Sequence, residues 1–323
     1  MKIVKDNIFF FYLISYSTLI IGLLLNEDFA LGYIRDYELH KISTDIFDYG
    51  LLNGLINYEE KKIPHSPIYL YYFSLTQKLF NNELIAKLIN IHICLLIPFF
   101  TYKSLLIKTG KNFNLYISLL PAVFFVSPYF RSGSIWIDDN LLALVFFSIS
   151  IYYFVLFKYT KDSLVNLFLN VLFFSFAAYV RPIFCLFAIY FFFQYFFILK
   201  VKNKIYYYCL FNIVLSFPAI YYVIILGIND WFQDYLFRGN LITVFSLSIS
   251  VITFYLLPYI FYFGGKKSIF LLTLKEFAFL IIFFISLFFY FDYDLNYSGG
   301  IFYKLSNLIF NNNLLYFFIT SIV

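Results

Sequence analysis

The chain has 323 residues, 63% of them hydrophobic and only 13% charged, with a formal net charge of +5 and a mean hydropathy of +0.83. A soluble domain carries about a quarter of its residues as charges, so this composition excludes an ordinary water-facing surface. The small positive excess is not gathered into a basic patch, which argues against nucleic acid as a partner.

Apolar stretches recur from residue 8 to the end, and a spanning helix needs about 20 mostly apolar residues. The expectation is an all-α, polytopic membrane bundle. Ten segments are predicted, near 8–25, 84–107, 113–128, 140–158, 163–180, 183–199, 205–226, 241–263, 270–291 and 313–323. Together they form a single membrane domain over 1–323. The first segment lacks a small-residue cleavage site after its apolar run and reads as a retained helix. The last is too short to span, so either it dips into the bilayer or the chain stops early. The 48 Phe and 32 Tyr are spread over the whole chain and give no single aromatic a functional weight. The three cysteines, Cys94, Cys185 and Cys209, lie in apolar runs, where an odd number argues against a disulfide framework.

One long polar segment, 26–83, follows the first helix. It opens NEDFALGYIRDYELH, which supplies Glu27, Asp28, Arg35, Asp36, Glu38 and His40, and it closes with EEKKIPHSP, which includes His65 and Ser66. The stretch SPIYLYYFSLTQKLF (66–80) is apolar but short for a span, and is expected to lie along the membrane surface. With the N-terminus inside, most lysines fall on the inner face, as the distribution of positive charge in membrane proteins requires. If 66–80 crossed instead, most of the lysines would move outside. All four arginines, Arg35, Arg131, Arg181 and Arg238, fall outside with most of the carboxylates. Arginine grips phosphate in a planar fork, whereas lysine is a point charge. An anionic ligand at the outer face is the expectation.

Downstream, SPYFRSGSIWIDDN (127–140) places Pro128, Arg131, Asp138 and Asp139 between two helices, and Arg181-Pro182 stands at a later outer turn. Asp138, Asp139 and Asn140 also stand where a helix N-cap belongs. His92, inside the second segment, reads as one side of an interhelical hydrogen bond.

In this order the elements resemble the multi-spanning GT-C superfamily of glycosyltransferases, in particular the protein mannosyltransferases and the lipid A aminoarabinose transferases. The features are the acidic residues after the first helix (Glu27, Asp28, Asp36), the His65-Ser66-Pro67 element before an amphipathic helix, the Pro128–Arg131–Asp138/Asp139 run, and Arg181-Pro182. The chain departs from the family in having Glu27-Asp28 rather than an adjacent Asp-Glu pair, and Ser66 in place of a proline. The resemblance implies transfer of a sugar from a polyprenyl-phosphate donor to a glycan, lipid or protein acceptor at the outer face of a cytoplasmic membrane. It implies Asp36 as the base, with Glu27 and Asp28 as orienting groups or ligands of a divalent cation. It also gives Arg131 and Arg181 to the donor phosphate, His40 and His65 to positioning of loop and acceptor, and Asp138, Asp139 and Arg238 to secondary roles. The competing expectations are a lipid-linked glycan polymerase or ligase, a transporter or flippase, and an inactive membrane subunit.

Overall fold

The computed structural model describes residues 2–28, 37–58, 66–80, 82–110, 115–160, 163–198, 202–221, 242–243, 245–249, 274–292, 301–310, 314 and 316–317. Among these the secondary structure is helical, with no strand. Chain contacts define two compact units, Met1–Phe232 and Gln233–Val323.

The first unit runs through α1 (Lys2–Leu24), α2 (Glu38–Ser43), α3 (Leu51–Ile56), α4 (Pro67–Phe80), α5 (Glu83–Cys94), α6 (Leu96–Thr109), α7 (Leu115–Leu119), α8 (Val123–Val126), α9 (Pro128–Ile135), α10 (Asp139–Tyr159), α11 (Leu164–Val180), α12 (Phe187–Phe193) and α13 (Lys202–Ile220). The starts of α5, α9, α10 and α11 are written in side chains that satisfy the orphan N–H groups of a first turn. Asn82 accepts from the Leu84 and Ile85 amides ahead of α5. Ser127 accepts from Phe130 N with Pro128 just inside α9, and Ser163 accepts from Asn166 N ahead of α11. Gly110, at φ +52°, closes α6 in a backbone conformation that side-chain-bearing residues avoid.

Among the described residues two helices are long and apolar enough to cross a membrane, Glu83–Thr109 (α5 with α6) and Asp139–Tyr159 (α10). They coincide with the segments expected at 84–107 and 140–158. The other apolar helices run 10–17 residues, and the breaks have local causes. The stretch expected at 113–128 is interrupted by a 3-10 turn over Leu120–Ala122 that contains Pro121. The one at 183–199 starts as a 3-10 turn over Pro182–Leu186 and ends as a π-helical segment, Gln194–Ile198. The stretch expected at 241–263 lies mostly outside the described residues, as does 313–323.

The surface-lying stretch expected at 66–80 is the helix α4, about 21 Å long at 1.5 Å per residue. Its buried face, Tyr69, Leu70, Phe73 and Thr76, follows helical spacing. Tyr69, Leu70 and Phe73 join Tyr37, Phe47 and Trp136 in a core cluster with Leu19, Ile91, Leu141 and Val180. A second cluster ties α10 to α11 and α12 through Phe154, Leu167, Val171 and Phe191. There Asn170 donates to Ser150 O (3.0 Å) and Oγ (2.8 Å), and its Oδ1 accepts from Tyr195 (3.1 Å). His92 does meet a neighbouring helix, its Nε2 lying 3.1 Å from Tyr16 Oη on α1.

In the second unit, α14 (Leu274–Tyr290) and α15 (Ile301–Phe310) accompany a small cluster of Leu247, Leu287, Tyr316 and Phe317. Ser246 and Tyr316 hydroxyls lie 2.7 Å apart.

Candidate functional site

The segment from Ser127 to Asn140 carries two charge clusters, one at each end. Its course explains how. Pro128 starts α9, Trp136 ends it, and Asp138 immediately caps the next helix by accepting from Asn140 N at 2.9 Å. Between them Ile137 adopts φ +56°, a left-handed backbone that costs a β-branched residue about 1–2 kcal/mol. Gly133 lets this turn close. A Cβ there would sit 3.1 Å from the Asp138 Oδ2 and 3.0 Å from Leu141 Cδ1.

At the first end, Arg131 on α9 faces Glu27 just past α1. Nε donates to Oε1 at 2.6 Å and Nη2 to Oε2 at 2.5 Å, a bidentate fork. Nη1 also donates to Thr18 Oγ1 (3.1 Å) and to Phe125 O (3.3 Å), and Nη2 to Thr18 O (3.0 Å). A guanidinium has five N–H donors, and these five bonds engage all of them. The pair is largely buried, with side chains 17% and 9% exposed. A donor phosphate at Arg131, the role given by the family resemblance, would have to displace Glu27. Next to it, Ser132 donates to Asp28 Oδ1 at 2.8 Å and Trp136 Nε1 to Glu27 O at 2.9 Å. Glu27 and Asp28 are therefore held by protein donors. Among the described residues no group of three or more His, Cys, Asp or Glu side chains is placed to hold a metal ion.

Gly22 makes this packing legible as a test. A methyl group there would lie 2.4 Å from Glu27 Oε2 and 3.0 Å from Arg131 Nη2. Gly22→Ala is expected to lower stability by about 1–3 kcal/mol, read as a fall in the thermal midpoint of the detergent-purified protein. An unchanged midpoint would mean that the ion pair is not held in this geometry.

At the second end, Arg181, which caps α11 just before Pro182, pairs through Nη2 with Asp139 Oδ1. The side chains are 12% and 2% exposed. Asp138 stands beside them. Burial is the largest effect on its carboxyl, followed by the adjacent Asp139, and together they push it well above the usual carboxylate range against the opposing pull of the Asn140 amide and Arg181. The N-terminus of α10 attracts negative charge to the same place. Two carboxyls and one guanidinium thus share a desolvated pocket at the end of a membrane-length helix, arranged so that one carboxyl retains its proton to higher pH.

A third contact fixes the strained turn. The Tyr69 hydroxyl, on α4, donates to the Ile137 carbonyl. That uses its one hydrogen, so the 2.8 Å contact with His40 Nδ1 is donated by the ring. His40 is fully buried and so is a brace of α2 against Tyr69 on α4, and through it against the 136–139 turn. Ser66 donates to Tyr179 O at 2.6 Å, binding the start of α4 to the end of α11.

Sequence reasoning missed three participants. Thr18 and Tyr69 sit among many similar residues and carry no local signal. Lys87 had one: it follows Glu83 by four residues on a helix, the spacing of an ion pair. Its ammonium, only 5% exposed as a residue, lies 2.9 Å from Glu83 Oε1 and 3.6 Å from the centre of the Trp136 ring. Asp36, His65 and Arg238 lie outside the described residues. Comparison of the chain with protein-family models, curated proteins and solved structures gave no match in any of the three.

Proposed function

We propose that the chain is an integral-membrane glycosyltransferase that moves a sugar from a polyprenyl-phosphate donor to an acceptor nucleophile at the outer membrane face. The observation that supports this reading is the Asp138–Asp139–Arg181 cluster at the N-terminal end of α10. That helix has 21 residues, about 30 Å of length, which matches a hydrocarbon core. A guanidinium at its end lies at the depth of a lipid headgroup, and a carboxyl held protonated above the usual carboxylate range can act as a proton donor.

In the proposed step the acceptor O–H or N–H attacks the anomeric carbon of the sugar. The bond from that carbon to the phosphate oxygen breaks, and the electron pair leaves with polyprenyl phosphate. Arg181 stabilises the developing phosphate charge, with Asp139 holding the guanidinium in place. The acceptor's proton passes to a carboxylate, which is Asp36 by the family resemblance; Asp138, which keeps its proton, is placed to donate one to the departing phosphate oxygen. Glu27 and Arg131 serve as a brace that sets the first loop against α9. In this reading the chain is multi-pass, with its N-terminus inside and lysines on the inner face.

The test is incubation of the purified protein with a panel of polyprenyl-phosphate sugars and a glycan, lipid or peptide acceptor, with detection of released polyprenyl phosphate. Release with one donor is expected, abolished by Asp36→Asn and strongly reduced by Arg181→Ala. No release with any donor, or full activity in both variants, would overturn the proposal.

A further inference from the structure

A groove of about 550 Å³ runs along α6, α10 and α12, and both helices capable of crossing a membrane contribute to its wall. It is distinct from the charge clusters described above. Nineteen residues separate Asp139 from Lys158 along α10, so about 28 Å of helix lies between the two ends. The lining is mostly phenyl and aliphatic, and none of the described residues lining it is acidic.

Its polarity is organised. Thr101, Ser104 and Lys108 all line the groove, and their spacing of three and four places them on one face of α6. Lys108 stands in the last turn of α6 and half-buried Lys158 in the last turn of α10, both lining the groove, and Lys158 donates to Gln194 Oε1 at 3.4 Å. Ser104 is only 8% exposed, and among the described residues its hydroxyl has no hydrogen-bond partner. A buried hydroxyl without a partner is costly, and a ligand oxygen in the groove would satisfy it. The required ligand is therefore apolar over most of its length, oxygen-bearing about one helical turn before its end, and anionic at that end.

We propose that this groove binds an anionic phospholipid. The phosphate lies between Lys108 and Lys158, a glycerol ester oxygen accepts from Ser104, and one acyl chain runs along the aromatic wall toward Leu144. Basic pockets between spanning helices hold anionic headgroups for the same electrostatic reason. This site is independent of the sugar-transfer reading, since its lysines stand at the end of α10 opposite Asp138 and Asp139.

The test is native mass spectrometry of the full chain released from detergent and titrated with phosphatidylglycerol, phosphatidylcholine or inorganic phosphate. One tightly retained phosphatidylglycerol is expected, with phosphatidylcholine held about tenfold more weakly. Lys108→Gln combined with Lys158→Gln should remove that preference. Thr101→Phe, which fills the groove without changing its charge, should weaken both lipids. Equal binding of the two lipids, or phosphatidylglycerol binding indifferent to either variant, would overturn the proposal. Competition by inorganic phosphate at concentrations equal to the lipid would also overturn it, because the acyl chain would then contribute nothing.

Discussion

Replacing Arg131 with methionine is expected to cost about 3–5 kcal/mol of stability, because it leaves the Glu27 carboxylate buried without its partner. The side chains are largely enclosed, and the five bonds of the guanidinium include two to Thr18 and one to the Phe125 carbonyl. The double variant Arg131→Met with Glu27→Leu should recover most of the loss, since a buried ion pair exchanged whole for apolar groups is often nearly neutral. Thermal unfolding followed by tryptophan fluorescence reads this directly, as Trp136 is bonded to the Glu27 carbonyl. Additive losses in the double variant would show that the two charges do not act as a pair. If Arg131 instead bound the donor phosphate, the single variant would lose donor affinity with little change in melting.

The second large effect concerns Asp138. Asp138→Asn is expected to lower sugar transfer by about 10²–10⁴-fold, the usual contribution of a proton-transfer group. Its stability should move the other way. Asparagine caps a helix about as well as aspartate, so the bond to Asn140 N survives. The folded carboxyl titrates well above its ordinary value, whereas the unfolded one titrates near about 3.9. Below that pH both states are protonated and the variant gains nothing. Above it the unfolded chain ionises while the folded one resists, so the wild type loses stability as pH rises until the folded group has also ionised. The melting midpoint of Asp138→Asn relative to wild type should therefore rise from about pH 4 upward and then level off. A variant less stable than wild type at neutral pH would reverse the assigned direction. Unaltered transfer would remove Asp138 from the chemistry.

The all-helical class and two of the ten expected spans were legible, because membrane-length helices announce themselves by hydropathy, and the start of α10 was legible in its capping residue Asp138. Asn82, Ser127-Pro128, Asp138 and Ser163 all mark real helix starts. The breaks at Pro121 and Pro182 were visible as residues, but their effect on helix length was not. The site was legible only as a list of charges on one side. Glu27 and Arg131 are 104 residues apart and Asp139 and Arg181 are 42 apart, and no local periodicity pairs such residues. The family resemblance assigned Arg131 to a ligand, whereas in the fold its whole donor set goes to the protein. The left-handed Ile137 had no signature at all: glycine, asparagine or aspartate would have hinted at it, but isoleucine conceals it.

The strained turn at Ile137 has a consequence for how the chain is made. Its supports on the first side (Thr18, Glu27, Asp28, His40 and Tyr69) all precede it in sequence, so a growing polypeptide already owns every one of them when residue 137 is added. Arg181 arrives 42 residues after Asp139, roughly 2–8 s later at ordinary translation speed. The order of synthesis therefore makes every residue of the brace before the cation of the acidic pocket.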